Sequence, residues 1–181
     1  MPWALPMEQP EEPRWLSSDE REAWLTLVGV MMKLPSALDA QLQRDAGVSH
    51  FEYMVLAGLS EAPDRTRRMS DLAGFTESGL PRLSQVVSRL EKRGWVRRSP
   101  DPTDGRITLA TLTDEGLEKI VESAPGHVEA VRKLVFDPLT KAQSRQLGTI
   151  GKRILSVLDP DGYCPRSAET GERRGAPGGN A

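Results

Sequence analysis

Apolar side chains recur at steps of three and four from Trp24 through Leu27, Val28, Met31, Leu34 and Leu38 to Leu42, the period of one helical face. Ser17-Ser18-Asp19-Glu20 precedes them with the spacing of a capping box, the Ser17 hydroxyl capping the helix and Glu20 reaching back. Gly47 stands where a C-cap ends the helix, and Pro35 inside it is expected to bend it or divide it in two. A second capping box, Ser49-His50-Phe51-Glu52, opens a helix marked by Phe51, Val55 and Leu59 that stops before Pro63. A very short helix over 70–74, a turn over 75–78 and a longer helix from Gly79 to about Arg93 follow. Ser78 is the expected N-cap of the longer helix, and Pro81 falls in its first turn, where no intrahelical N–H bond is lost. Leu80, Leu83, Val87 and Leu90 form its expected buried stripe, and Arg82, Gln85, Ser88, Arg89 and Lys92 its opposite face, with Gly94 closing it.

The next two segments, 95–99 and 107–112, read as strands; the second alternates apolar and small polar residues as a half-buried strand does. Residues 100–106 join them with a Pro, an Asp-Gly and two further aspartates, all turn formers. Thr113 caps a helix with an apolar face of Leu117, Ile120, Val121, Ala124, Val128, Val131 and Leu134, and Pro125-Gly126 should kink it. Thr140-Lys141-Ala142-Gln143, a third capping box, opens a last helix along Leu147, Ile150, Ile154 and Leu158. The chain therefore reads as mainly α with a small β-wing: a winged helix-turn-helix flanked by further helices. Residues 1–16 hold four prolines and no helical period, so a flexible arm is expected, with Trp15 and Leu16 as candidates to dock. Residues 159–181, rich in Gly, Pro, Ser and Arg, are expected to form a disordered tail.

Composition excludes several classes. The longest apolar run, from Trp24 to Met32, is interrupted by Thr26 and Gly29 and falls short of the ~20 residues that cross a bilayer. Glu8, Glu11 and Glu12 precede any apolar stretch, the reverse of a basic signal-peptide start, so a cytoplasmic location is expected. Cys164 is the one cysteine, which excludes an internal disulfide and a cysteine metal cluster. His50 and His127 lie in different helices, far apart in sequence, and no metal or other cofactor is expected. No nucleophile–base order, phosphate loop or dinucleotide fingerprint is present, so the chain does not read as an enzyme.

Charge changes the picture more. The net charge is −2, but residues 1–64 hold 4 basic and 11 acidic side chains, whereas residues 65–106 hold 10 basic and 5 acidic. That basic block coincides with the helix-turn-helix and hairpin, as an anionic partner requires; the alternative is a solvated basic face. Arg82, Gln85 and Ser88 suit base edges, arginine pairing with guanine, glutamine with adenine and serine with either.

Met69-Ser70-Asp71-Leu72-Ala73, the run Arg89-Leu90-Glu91-Lys92-Arg93-Gly94-Trp95-Val96-Arg97-Arg98, and Asp101-Pro102-Thr103-Asp104-Gly105-Arg106 followed by Leu112-Thr113-Asp114-Glu115-Gly116 occur in order. Over about 17–158 the chain thereby resembles the multiple-antibiotic-resistance-regulator (MarR) family of bacterial transcription factors, whose wing signature is Asp-x-Arg and then Leu-Thr-x-x-Gly. Pro81 departs from the small polar residue usual there. The resemblance implies dimerisation helices at 17–47 and 114–158 around a DNA-binding lobe at 49–113. It implies a homodimer on a palindromic double-stranded operator, repression, and release by a small, aromatic effector, for which Trp24, Met31, Met32, Phe51 and Tyr53 are candidate lining residues. It also implies that Arg106, oriented by Asp104, enters the minor groove. The candidate DNA-contacting set is Arg67, Arg68, Ser78, Arg82, Ser84, Gln85, Ser88, Arg89, Lys92, Arg97, Arg98, Asp104 and Arg106, with Arg65 a further phosphate candidate. The competing function is a winged-helix module that binds an acidic protein partner.

Overall fold

The structure, a computed structural model, describes residues 13–160. The expected arm is therefore described only from Pro13 and the expected tail only at Asp159 and Pro160; Cys164 lies outside the described residues. The elements run α1 (Ser18–Ala46), α2 (His50–Ser60), a 3-10 turn (Pro63–Arg65), β1 (Thr66–Arg68), α3 (Met69–Phe75), α4 (Leu80–Lys92), β2 (Val96–Pro100), β3 (Thr108–Leu112), α5 (Asp114–Val131), a π-helical turn (Arg132–Phe136) and α6 (Lys141–Leu158). The packing separates two compact units, one reaching Ala37 and one from Leu38 onward. Among the described residues no helix is long and apolar enough to cross a membrane.

In the first unit, the Ser17 backbone N–H donates to Glu20 at 2.8 Å and the Glu20 N–H to the Ser17 hydroxyl at 3.2 Å, so the capping box forms. α1 continues through Pro35 as one helix of 29 residues rather than ending there. Proline removes one donor, and the bonds on either side suffice to carry the helix across. Trp15 and Leu16, the candidates to dock, are exposed, and Trp24, Met31 and Met32 are exposed as well.

In the second unit three short strands form an antiparallel sheet in the order β1-β3-β2. β1, pairing Thr66 with Thr111 and Arg68 with Leu109, has no counterpart in the sequence reading. Three basic and polar residues carry no alternation, and they become a strand only because the edge of β3 offers partners. The core gathers Val55, Leu56 and Leu59 of α2, Leu72 of α3, Leu83, Val86, Val87 and Leu90 of α4, and Val96, Ala110, Leu112 and Ile120 from the sheet and α5. Phe51 and Tyr53 pack against it. Leu80, expected in the buried stripe of α4, is 50% exposed. Ser78 is not the N-cap: Gly79 occupies that position, and the Ser78 hydroxyl instead lies 2.9 Å from that of Thr76. α5 continues past Pro125-Gly126 to Val131, and the irregularity comes later, where the Asp137 N–H reaches back five residues to the Arg132 carbonyl.

The start of α5 explains the spacing Leu-Thr-x-x-Gly. The Thr113 hydroxyl donates to the Gly94 carbonyl at 2.7 Å and accepts from the Gly116 N–H at 3.0 Å, while the Thr113 N–H donates to the Trp95 carbonyl. Gly116 is thereby pressed onto the Trp95 carbonyl, and a Cβ there would also meet Leu112 Cδ1 at 2.7 Å.

His50 and His127, far apart in sequence, are brought together: their ring centroids lie 5.9 Å apart, and Tyr53 stacks 4.4 Å from His127. The His50 backbone N–H donates to Asp39 at 2.7 Å, and Gln41 bridges Asp45 and His127. Burial lowers the pKa of both imidazoles; Asp39 partly opposes this at His50, and His50 adds to it at His127. Among the described residues no group of three or more potential ligands forms a metal site.

Two outcomes follow from this packing. Gly116→Ala should lower the unfolding free energy by about 1–3 kcal/mol, read from urea denaturation, because backbone rather than a movable side chain blocks the new methyl. Because both imidazoles are harder to protonate folded than unfolded, the unfolded chain takes up protons first as pH falls below about 6.5, its ordinary value. Stability should therefore decline between pH 7.5 and 5.5, before carboxylates titrate, and the decline should be smaller in His127→Gln.

Candidate nucleic-acid interface

Burial of Leu83, Val86, Val87 and Leu90, each at most 4% exposed, fixes which side of α4 faces outward. Arg82, Gln85, Arg89 and Lys92 are exposed on that helix, and Ser84 and Ser88 are half-buried. β2 and β3 form the hairpin beside it, paired from Val96 with Leu112 to Pro100 with Thr108. Its tip is built by local bonds: Asp101 Oδ1 accepts from the Thr103 hydroxyl and N–H at 2.7 and 2.8 Å, and Asp104 Oδ1 accepts from the Arg106 N–H at 3.0 Å. The Thr103 bonds, aided by Arg68, hold the Asp101 carboxyl below its ordinary pKa. Arg106 is 95% exposed, with its Nε 3.5 Å from Asp104.

The arginines divide sharply. Arg98 is a strut: its Nε and Nη2 meet Glu91 Oε2 at 2.7 and 2.6 Å, and its backbone N–H donates to Glu91 Oε1 at 2.9 Å. The same guanidinium donates to the hydroxyls of Ser84 at 3.3 Å and Ser88 at 2.9 Å. Burial raises the pKa of the Glu91 carboxyl, but the Arg98 hydrogen bonds and charge outweigh that and hold it below its ordinary value. Ser84, Ser88 and Arg98 are thus committed to joining the wing to α4.

Other candidates are also engaged within the fold. The Arg82 guanidinium stacks 4.6 Å from the Phe51 ring centroid. Arg89 approaches the buried carboxylate of Glu52 at 3.4 Å, while Glu52 completes the cap of α2 by accepting from the Ser49 N–H. Arg67 Nε donates to the Gly58 carbonyl at 2.8 Å, and its guanidinium lies over Phe75. Arg65 pairs with Asp114 at 2.7 Å, and Arg68 stands 3.9 Å from Asp101. Gln85, Lys92 and Arg97 are exposed, and their side chains have no partner among the described residues. Of the candidate set, then, Gln85, Lys92 and Arg97 are exposed without a side-chain partner among the described residues, Arg106 is exposed beside Asp104, which shapes the turn that carries it, and Arg68, Arg82 and Arg89 remain exposed while also touching groups within the fold.

Sequence reasoning did not single out Glu91, which makes the Arg98 strut possible, or Arg93, which donates to the Gly47 carbonyl and stacks on Trp95. Only the seven-residue spacing of Glu91 and Arg98 hinted at the first, and nothing local distinguishes such a pair from two solvated charges.

A family model for the MarR family matches residues 46–107, from the end of α1 to the wing. Among solved structures, Sco3205, a MarR family transcriptional regulator from Streptomyces coelicolor crystallised in complex with DNA, is 47% identical with a TM-score of 0.78; the match covers 83% of this chain and 94% of that one. AbsC, a MarR family transcriptional regulator from the same organism, is 36% identical with a TM-score of 0.76, covering 82% of this chain and 99% of the other. The transcriptional repressor MprA of Escherichia coli K12 is 27% identical over 113 residues, 62% of this chain and 64% of its own length. At this level of identity and coverage, with the capped wing, the three-stranded sheet and the outward helix in place, the chain belongs to the MarR family of transcriptional regulators.

Proposed function

We propose that the protein is a homodimeric, sequence-specific double-stranded DNA-binding repressor that acts by occluding a promoter. The observation that carries this reading is the outward side of the helix and hairpin, where Gln85, Lys92 and Arg97 are exposed, their side chains unpaired among the described residues, and Arg106 stands at the wing tip. Glutamine matches the adenine edge in the major groove, lysine and arginine match phosphates, and a guanidinium at a hairpin tip matches a narrow minor groove. The DNA complex of the 47% identical Streptomyces coelicolor protein and the repressor activity named for MprA support the same reading.

Self-association is supported by apolar exposure in each unit taken separately. α1 exposes Trp24, Leu25, Val30, Met31 and Met32, and in the second unit α5 and α6 expose Val128, Ile150, Ile154 and Leu158. Exposed apolar residues recurring along helices in this way favour a partner surface of the same kind. Two copies would set two reading helices about one DNA turn, ~34 Å, apart on a palindrome. A small aromatic effector releases such a dimer by binding more tightly to a helix spacing that does not fit DNA.

Duplex binding measured by fluorescence anisotropy tests the reading, using a site selected from random DNA. Affinity should fall steeply with salt, and Arg106→Ala should flatten the log–log slope by about one unit while sedimentation still reports a dimer. Gln85→Ala should lower the ratio of specific to random-duplex affinity about 5–150-fold, the equivalent of ~1–3 kcal/mol, whereas Lys92→Ala should weaken both alike. Absence of duplex binding would sink the reading and transfer the basic surface to an acidic protein partner.

A further inference from the structure

Leu80 is the one large apolar side chain exposed between residues 33 and 120; all other exposed large apolar residues among those described lie before or after that segment. It stands at the first position of α4, followed by the exposed Pro81. The helical period would bury Leu80 with Leu83, Val87 and Leu90, yet it is 50% exposed while those three are fully buried. The guanidinium of Arg82, the basic group of this first turn, lies over the Phe51 ring. The leading end of α4 therefore presents a branched aliphatic chain and a pyrrolidine ring, set in the basic block of the chain.

We propose that Leu80, backed by the ring of Pro81, is a specificity-determining residue that reads thymine through its C5 methyl group. The inference rests on the DNA-binding reading above and deepens it. The N-terminal residues of a helix lying in the major groove are those that meet base edges. On those edges thymine alone among the four bases carries an apolar group, and aliphatic side chains recognise it by contact. Gln85 lies more than one turn further along α4 and supplies the polar contact; Leu80, with the adjoining Pro81 ring, supplies an apolar one that no other exposed side chain of α4 offers.

The test removes the methyl without altering base pairing. In the selected duplex each thymine is replaced in turn by deoxyuridine, symmetrically in both half-sites, and affinity is measured at one fixed salt concentration for the full chain and for Leu80→Ala. One symmetric replacement should weaken the wild-type protein about fifteen-fold, or about fourfold per half-site at ~0.8 kcal/mol per methyl. The same replacement should leave Leu80→Ala unaffected, and Leu80→Ala should keep wild-type affinity for random duplex. Wild-type protein that selects a sequence but is indifferent to every deoxyuridine overturns this inference and leaves the DNA-binding reading standing. The same holds if the deoxyuridine penalty persists in Leu80→Ala. Wild-type protein that selects no duplex sequence overturns both. If Leu80→Ala changed the oligomeric state while the deoxyuridine profile stayed the same, Leu80 would belong to a protein contact and the inference would fail.

Discussion

Leu83, Val86, Val87 and Leu90 leave water together, and the burial of that stripe against α2, α3 and the sheet orients the rest of the second unit. Each fully buried aliphatic side chain contributes roughly 1.5–3 kcal/mol, far more than any single exposed ion pair nearby. A rotation of α4 that exposed even one of the four would cost more than a new hydrogen bond or ion pair on the outer face could offset. The outward positions of Gln85 and Lys92 are thus set by what lies behind them. The same constraint fixes the wing, because Val96 and Leu112 sit in the same core and anchor the hairpin at its base.

Around that core, arginine serves two separate purposes. Arg98 commits its guanidinium to Glu91, Ser84 and Ser88, and Arg67 commits its own to the Gly58 carbonyl and Phe75. These are short, geometrically demanding contacts of a kind that a planar fork of donors makes well and an ammonium makes poorly. They stiffen the joints between wing and helix and between β1 and α2. Arg97, the neighbour of Arg98 on β2, points to the other face of the strand and stays exposed, as alternation along a strand requires. A net charge of +5 over residues 65–106 thus overstates the charge available to an outside partner.

What could be read from the sequence was what local bonds decide. The boxes at Ser17 and Glu20, Ser49 and Glu52, and Thr140 and Gln143 all form as their spacing predicts, because three residues separate donor from acceptor in any helix start. The order of helices and the wing hairpin followed from period and turn residues. Contacts between distant segments were not legible. The meeting of His50 with His127, the strut from Arg98 to Glu91 and the pairing of β1 with β3 depend on how helices and strands are set against each other. Ser78 failed as a cap for a different, local reason: the helix starts one residue later, so Gly79 takes the cap position, and the Ser78 hydroxyl lies against that of Thr76 instead. Leu80 failed as a core residue because periodicity names a face but not where along the helix the core stops.

The exposed apolar residues sort by this last distinction. On α1, and separately along α5 and α6, they recur over several turns, each a face too extended for any one small ligand and suited to another protein surface of similar length. On α4 a single leucine stands beyond the end of the core, beside polar and basic side chains. An isolated apolar group in such company cannot hold a protein partner by area, since its buried surface is small beside the ~800 Å² that each side of a stable interface contributes. It can discriminate between two otherwise similar ligands, because a difference of one methyl is felt in full when the surrounding contacts hold the geometry. Association strength is thus what long apolar faces and outward cations are suited to supply, and on the readings proposed above the choice among sequences falls to Leu80 and Gln85 of α4.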